Sequence, residues 1–134
     1  MTEREHIYEP MRKAADPAVI DIMRIENAVG TGMSDVNMHC NGVDAWIENK
    51  VFHGNQLTFQ PTQPGWILNR RRVGGRVFVL ARKTSTLYLY DGARVRELIS
   101  EGIKTPALFT TKKPFDWQEV FSQIFGHRPF KYVK

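Results

Sequence analysis

Cysteine is nearly absent: Cys40 stands alone among 134 residues. One thiol can form no internal disulfide and no cysteine-based zinc cluster. A reducing, cytoplasmic setting is the simple expectation. Long apolar runs are also missing, and none approaches the roughly 18 residues that a membrane span requires. The N-terminal stretch MTEREHIYEPMRK is charged and has no apolar h-region, so no secretory leader is expected. No internal repeat and no low-complexity segment interrupts the chain. One domain over residues 1–134, with one core, is the expected organisation. Acids are outnumbered: 19 Lys and Arg against 14 Asp and Glu give a net charge of +5. That sign favours a polyanionic partner such as nucleic acid. A basic domain with no such partner is the plain alternative.

What is present reads as an ordinary globular chain, 42 % hydrophobic and 25 % charged. Ile7, Met11 and Ala14 recur at helical spacing, which predicts a helix over Glu3–Ala15 ended by Asp16-Pro17. Alternation predicts strands over Val19–Asn27, Ser34–Cys40 and Val43–Phe52. Asn41-Gly42 joins the last two, because a type I′ hairpin turn needs positive φ at both central residues. A helix is expected from an N-cap at Thr62 to Gly74-Gly75. RVFVLAR and TLYLYDG predict two more strands, and GARVRELISEG a helix. After a loop containing Thr, Lys and Pro, FDWQEVFSQIFG reads as a final amphipathic helix capped by Asp116. The order α-β-β-β-α-β-β-α-α describes a mixed central sheet flanked by helices, an α/β or α+β domain.

The hairpin holds the chemically informative residues. Asp35 lies six residues before Asn41, and Glu48 six residues after Gly42. A two-residue turn then sets the two acids nearly opposite each other, with Cβ atoms roughly 4.5–5.5 Å apart. Two carboxylates so close repel unless positive charge lies between them. Lys50 shares their face by parity, and a divalent cation would supply more charge. Mg²⁺ is commonly held by one or two carboxylates with substrate phosphate oxygens and water. The competing reading is a solvated, charged hairpin face.

The pattern GMSD…WIENK, followed by LTFQPTQPGW, a basic helix end and GGRVFVLAR, resembles the PD-(D/E)XK nuclease superfamily. Within it the likeness is to stand-alone VRR-NUC nucleases and Holliday-junction-resolvase-like phage nucleases. It covers roughly Arg24 to Tyr90. Ser34 stands where proline is usual. The resemblance implies a restriction-endonuclease-like α-β-β-β-α-β core. It implies a Mg²⁺-dependent DNA endonuclease, with Mn²⁺ able to substitute, acting on branched, flapped or Holliday-junction DNA. On that basis Asp35, Glu48, Lys50 and Gln63 are catalytic, Gln60 being the alternative to Gln63. Asp35, Glu48 and the Asn49 carbonyl bind metal, joined by Glu5 or Glu9 from the first helix. Glu26 is a third candidate acid.

Arg70, Arg71, Arg72, Arg76, Arg82 and Lys83 form a candidate phosphate track on DNA. Stabilisation of a helix C-terminus explains one of the three consecutive arginines without any ligand. The small size of the domain suggests a homodimer whose two sites cut paired strands. The cytoplasm is the expected location, that of the host if a phage encodes the chain. A non-catalytic nucleic-acid-binding module on the same fold is the alternative. Lys112-Lys113 and the Arg128–Lys134 tail add basic charge. His39 and His53 read as strand and loop residues rather than ligands.

Overall fold

The chain folds around a six-stranded mixed sheet with strands in sequential order, β1 to β6. The computed structural model describes residues 2–25 and 31–130. The strands are β1 (Asp21–Arg24), β2 (Val36–Cys40), β3 (Val43–Val51), β4 (Arg76–Lys83), β5 (Thr86–Asp91) and β6 (Phe109–Lys112). Every neighbouring pair is antiparallel except β3 and β4. These two are parallel because the chain between them crosses over through helix α2 (Gln63–Arg72). Helices α1 (Glu9–Ala14), α3 (Val95–Glu101) and α4 (Trp117–Phe125) complete the frame.

Alternation along the strands sorts the core into two layers. Val36, Met38, Ala45, Ile47, Leu80 and Leu89 meet Ile7, Met11, Phe121 and Ile124 from the first and last helices. Val77, Val79, Ala81 and Tyr90 meet Ile67, Val95 and Leu98 on the opposite face. With helices on both faces, β4 is buried from Val77 to Ala81, which explains its nearly continuous apolar run. Among the described residues no helix is long and apolar enough to cross a membrane.

The first helix begins differently from an ordinary α-helix. Arg4–Tyr8 is π-helical and runs into α1, with Pro10 in the first turn of the α segment. In an α register the Pro10 nitrogen would face the His6 carbonyl, and proline has no N–H to give. The Arg82 guanidinium donates to that carbonyl instead, at 2.7 Å. At the start of the helix, Thr2 and Glu5 form a reciprocal capping box. The Glu5 N–H donates to Thr2 Oγ1 and the Thr2 N–H to Glu5 Oε2, each at 3.4 Å.

The structure corrects three expectations. Phe109–Lys112, read as loop, is the edge strand β6. Of the strand expected over Val19–Asn27, the described residues form only the four-residue β1, Asp21–Arg24, and Glu26 and Asn27 lie outside the described residues. Thr62 sits in helical backbone and its side chain caps nothing; Pro64 in the first turn needs no N–H partner. Other terminal signals operate as read. Asp116 accepts from the Glu119 N–H at 3.1 Å, and Gly126 closes α4 in the left-handed region.

Candidate active site

The hairpin turn fixes the register on which the site depends. Asn41 and Gly42 both have positive φ, 50° and 81°. Cys40 then pairs with Val43 and Val36 with Ile47. One further step along that ladder brings Asp35, just before β2, opposite Glu48. Asp35 is anchored by its own contact across the gap: its Oδ1 accepts from the Asn49 N–H at 3.1 Å. In a strand, the N–H and C=O of one residue point the same way. The Asn49 carbonyl is therefore turned toward the Asp35 side of β3.

Glu48, Lys50 and Gln63 form one connected network. Gln63 Nε2 donates to Glu48 Oε2 at 3.0 Å, and Lys50 Nζ donates to Gln63 Oε1 at 3.0 Å. Gln63 Oε1 also accepts from the Gln60 N–H at 2.8 Å. Lys50 Nζ lies 3.6 Å from Glu48 Oε2 and above the Phe59 ring, 4.8 Å from its centroid. The first residue of α2 thus locks together two residues of β3. Of the two glutamines considered, Gln63 enters this network by its side chain and Gln60 by its backbone.

Close backbone approach makes the arrangement possible. Gly32 has φ +77°, and a Cβ there would stand 2.1 Å from the Thr62 carbonyl oxygen. Glycine therefore allows the loop leading to Asp35 to rest on the residue before Gln63.

Burial dominates the electrostatics. Glu48 is 3 % exposed and Lys50 8 %. Burial first, then the Asp35 charge, pushes the Glu48 carboxyl up to about 8 against the pull of Lys50 and Gln63. Burial also pushes Asp35 up to about 6, against its bond from the Asn49 N–H. Glu48 Oε1 is buried without a hydrogen-bond partner. Such an oxygen, beside a second hard carboxylate and a carbonyl turned the same way, fits a divalent cation.

A cleft of about 850 Å³ opens over these groups, walled by the first helix, the end of β1 and the Gly32–Asp35 loop. Glu5 and Glu9 line it, yet each is engaged elsewhere. Glu5 completes the capping box. Glu9 pairs with Arg4 at 3.3 Å and Arg12 at 3.4 Å. Among the described residues, no three His, Cys, Asp or Glu stand close enough to share an ion. Glu3, an acid not considered from the sequence, also lines the cleft, and its charge adds to the rise of Asp35. The Thr-x-x-Glu spacing of Thr2 and Glu5 was the available signal that Glu5 serves the helix end. Glu26 lies outside the described residues.

The candidate phosphate track divides. Arg71 forms a two-pronged pair with Asp91 at 2.9 and 3.1 Å. Arg76 donates to the Ile124 and Gln123 carbonyls at the end of α4. Arg82 donates to the His6 and Thr84 carbonyls. Lys83 bonds to the Asn55 side chain. The Arg70 guanidinium lies over the Trp66 and Trp46 rings, and Arg72 is exposed. The three consecutive arginines lie at the end of α2 away from Gln63. His39 is an exposed neighbour of Asp44, and His53 pairs with Gln56 in a loop bridge; neither lines the cleft.

No family model and no curated protein matches the sequence. Among solved structures, the fold is similar to that of Hjc, a Holliday junction resolvase from the archaeal hyperthermophile Archaeoglobus fulgidus. The TM-score is 0.52 at 16 % identity, over 92 % of this chain and 98 % of that one. The likeness runs nearly end to end: this chain has the mixed α/β fold of that resolvase.

Proposed function

We propose that the protein is a metal-dependent endonuclease that hydrolyses phosphodiester bonds in DNA, with selectivity for branched structures. The observation carrying this reading is the buried Asp35–Glu48 pair tied through Gln63 to the Lys50 ammonium. Two acids held this close, both pushed up by burial, are poorly suited to stability alone and well suited to a cation. Asp35, the free oxygen of Glu48 and the Asn49 carbonyl would hold Mg²⁺, with Mn²⁺ as substitute. When bound, the ion would neutralise phosphate charge and acidify a water. Lys50 positions the attacking water and faces the negative charge that develops on phosphorus. Gln63 holds the ammonium in place and keeps it near Glu48. Glu3 is a better candidate than Glu5 or Glu9 for the acid contributed by the first helix.

The fold shared with a Holliday junction resolvase supports a four-way junction as the first substrate to try. Placement in the VRR-NUC or phage branch rests on the motif order alone. A homodimer would set two such sites against two strands, and the reducing cytoplasm suits a chain with one buried thiol.

The test is cleavage of duplex, flap, splayed-arm and four-way-junction DNA with Mg²⁺ or Mn²⁺. Lys50→Ala should lower the rate by roughly 10²–10⁴-fold while junction binding persists, and EDTA should abolish cutting. Cleavage that survives both would refute the mechanism. Binding without cleavage of any substrate would instead favour the non-catalytic module.

A further inference from the structure

Most arginines near the sheet are engaged by the protein itself, through Asp91, the end of α4 or the His6 carbonyl. Arg70 is different. Its guanidinium carbon lies 4.9 Å from the Trp66 ring centroid and 5.6 Å from that of Trp46. The two indoles meet edge to face, 5.3 Å apart at 71°. Arg70 follows Trp66 by one helical turn, so both lie on the same side of α2. The stem of the side chain is fixed as well. A Cβ at Gly75 would stand 2.7 Å from Arg70 Cγ and 2.8 Å from Cδ, so the arginine occupies space that only glycine leaves free. Among the described residues no carboxylate or carbonyl accepts from the Arg70 guanidinium, and the residue is only half-buried.

A guanidinium over aromatic rings is held by its charge and gives up none of its five N–H donors to an oxygen acceptor. Its planar fork matches phosphate, and a side chain already fixed loses little freedom on binding. Its position relative to the acids follows from β3. Trp46 and Glu48 are two residues apart and share a face, so their Cα atoms are about 6.6 Å apart. Trp46, the β3 part of the platform, is thus two residues from Glu48 on the same face of the sheet.

We propose that Arg70, held over Trp46 and Trp66, binds a backbone phosphate one or two nucleotides from the bond that is cut. The inference rests on the nuclease reading and deepens it. The contact would orient the strand over Glu48 without reading its sequence.

The test measures four-way-junction binding by fluorescence anisotropy between about 50 and 200 mM salt, in a Lys50→Ala background that prevents cutting. Arg70→Gln should make the plot of log affinity against log salt shallower by about one. Arg70→Lys should recover the slope, since it restores the charge, but not the full affinity, since it lacks the planar fork. Arg96→Gln, on the exposed side of α3, should change nothing. Neutral methylphosphonates placed singly beside the cut should weaken the Arg70-containing protein at one position by roughly tenfold. The same replacement should have no further effect on Arg70→Gln. An unchanged slope in Arg70→Gln overturns the proposal. If that variant unfolds, the methylphosphonate scan decides alone, and no sensitive phosphate within two nucleotides overturns it. A protein with Lys50 intact that cuts no DNA sinks the nuclease reading itself, a different result from normal cutting with Arg70→Gln indistinguishable.

Discussion

Replacing Glu48 by Gln removes a buried charge and keeps the shape of the side chain. Burial and the Asp35 charge push the Glu48 carboxyl from 4.5 up to about 8. The folded protein therefore keeps a proton that the unfolded chain has already released. Stability associated with the protonated carboxyl is complete below about pH 4.5, falls as pH rises, and is lost once pH passes about 8. Asp35, pushed by burial from 3.8 up to about 6, steepens the lower part of the same fall. At ~1.4 kcal/mol per pH unit, ionising Glu48 costs the metal-free fold roughly 4 kcal/mol by pH 8. A glutamine escapes that cost and gives back about 1 kcal/mol in altered hydrogen bonds to Gln63 and Lys50. Glu48→Gln should match the parent within about 1 kcal/mol at pH 4.5 and exceed it by roughly 2–4 kcal/mol at pH 8. Urea unfolding in EDTA, followed by tryptophan emission at several pH values, measures the gap. A gap that does not widen with pH, or a variant less stable at pH 8, would refute the buried-acid account. Adding Mg²⁺ at about a hundredfold over its dissociation constant should return ~2.7 kcal/mol to the parent and much less to the variant.

Other consequences follow from the same geometry. Cation binding should strengthen between pH 6 and 8, because the ion displaces a proton held by the acid pair. Calorimetry in two buffers of different ionisation enthalpy should find about one proton released near pH 7, and none released contradicts the assignment. Glu3→Gln should move the acid limb of the cleavage profile to lower pH by easing Asp35 ionisation. Glu5→Gln should lower the melting temperature and leave that limb in place. Gly32→Ala should destabilise by more than about 2 kcal/mol and weaken cleavage, since its Cβ would strike the Thr62 carbonyl. A melting temperature equal to the parent's would show that the loop does not need that close approach.

Sequence pattern reached furthest where a short-range rule governs the outcome. Asn41-Gly42 sets a two-residue turn, and from it the register of β2 on β3 follows, as does the opposition of Asp35 and Glu48. The strand β6 escaped because its alternation involves Thr and Lys beside one Phe, and it pairs only with β5 at the sheet edge. The winding of the first helix was not legible for a related reason. Four-residue spacing places Glu5 and Glu9 on one face of an α-helix, but Arg4–Tyr8 is wound as a π-helix. The cap at Thr2 engages Glu5, while Glu3 lines the cleft and its charge adds to the rise of Asp35. Cations were least legible of all, because an apolar residue's destination follows from its period, whereas a cation's partner depends on what the tertiary fold brings to it. Arg82 meets the carbonyl of His6, 76 positions away, and Arg71 meets Asp91, 20 positions away. Arg70 and Arg71 are neighbours in sequence but about 100° apart around α2. That rotation sends one arginine into an ion pair and leaves the other over two tryptophans, where no oxygen among the described residues accepts from it.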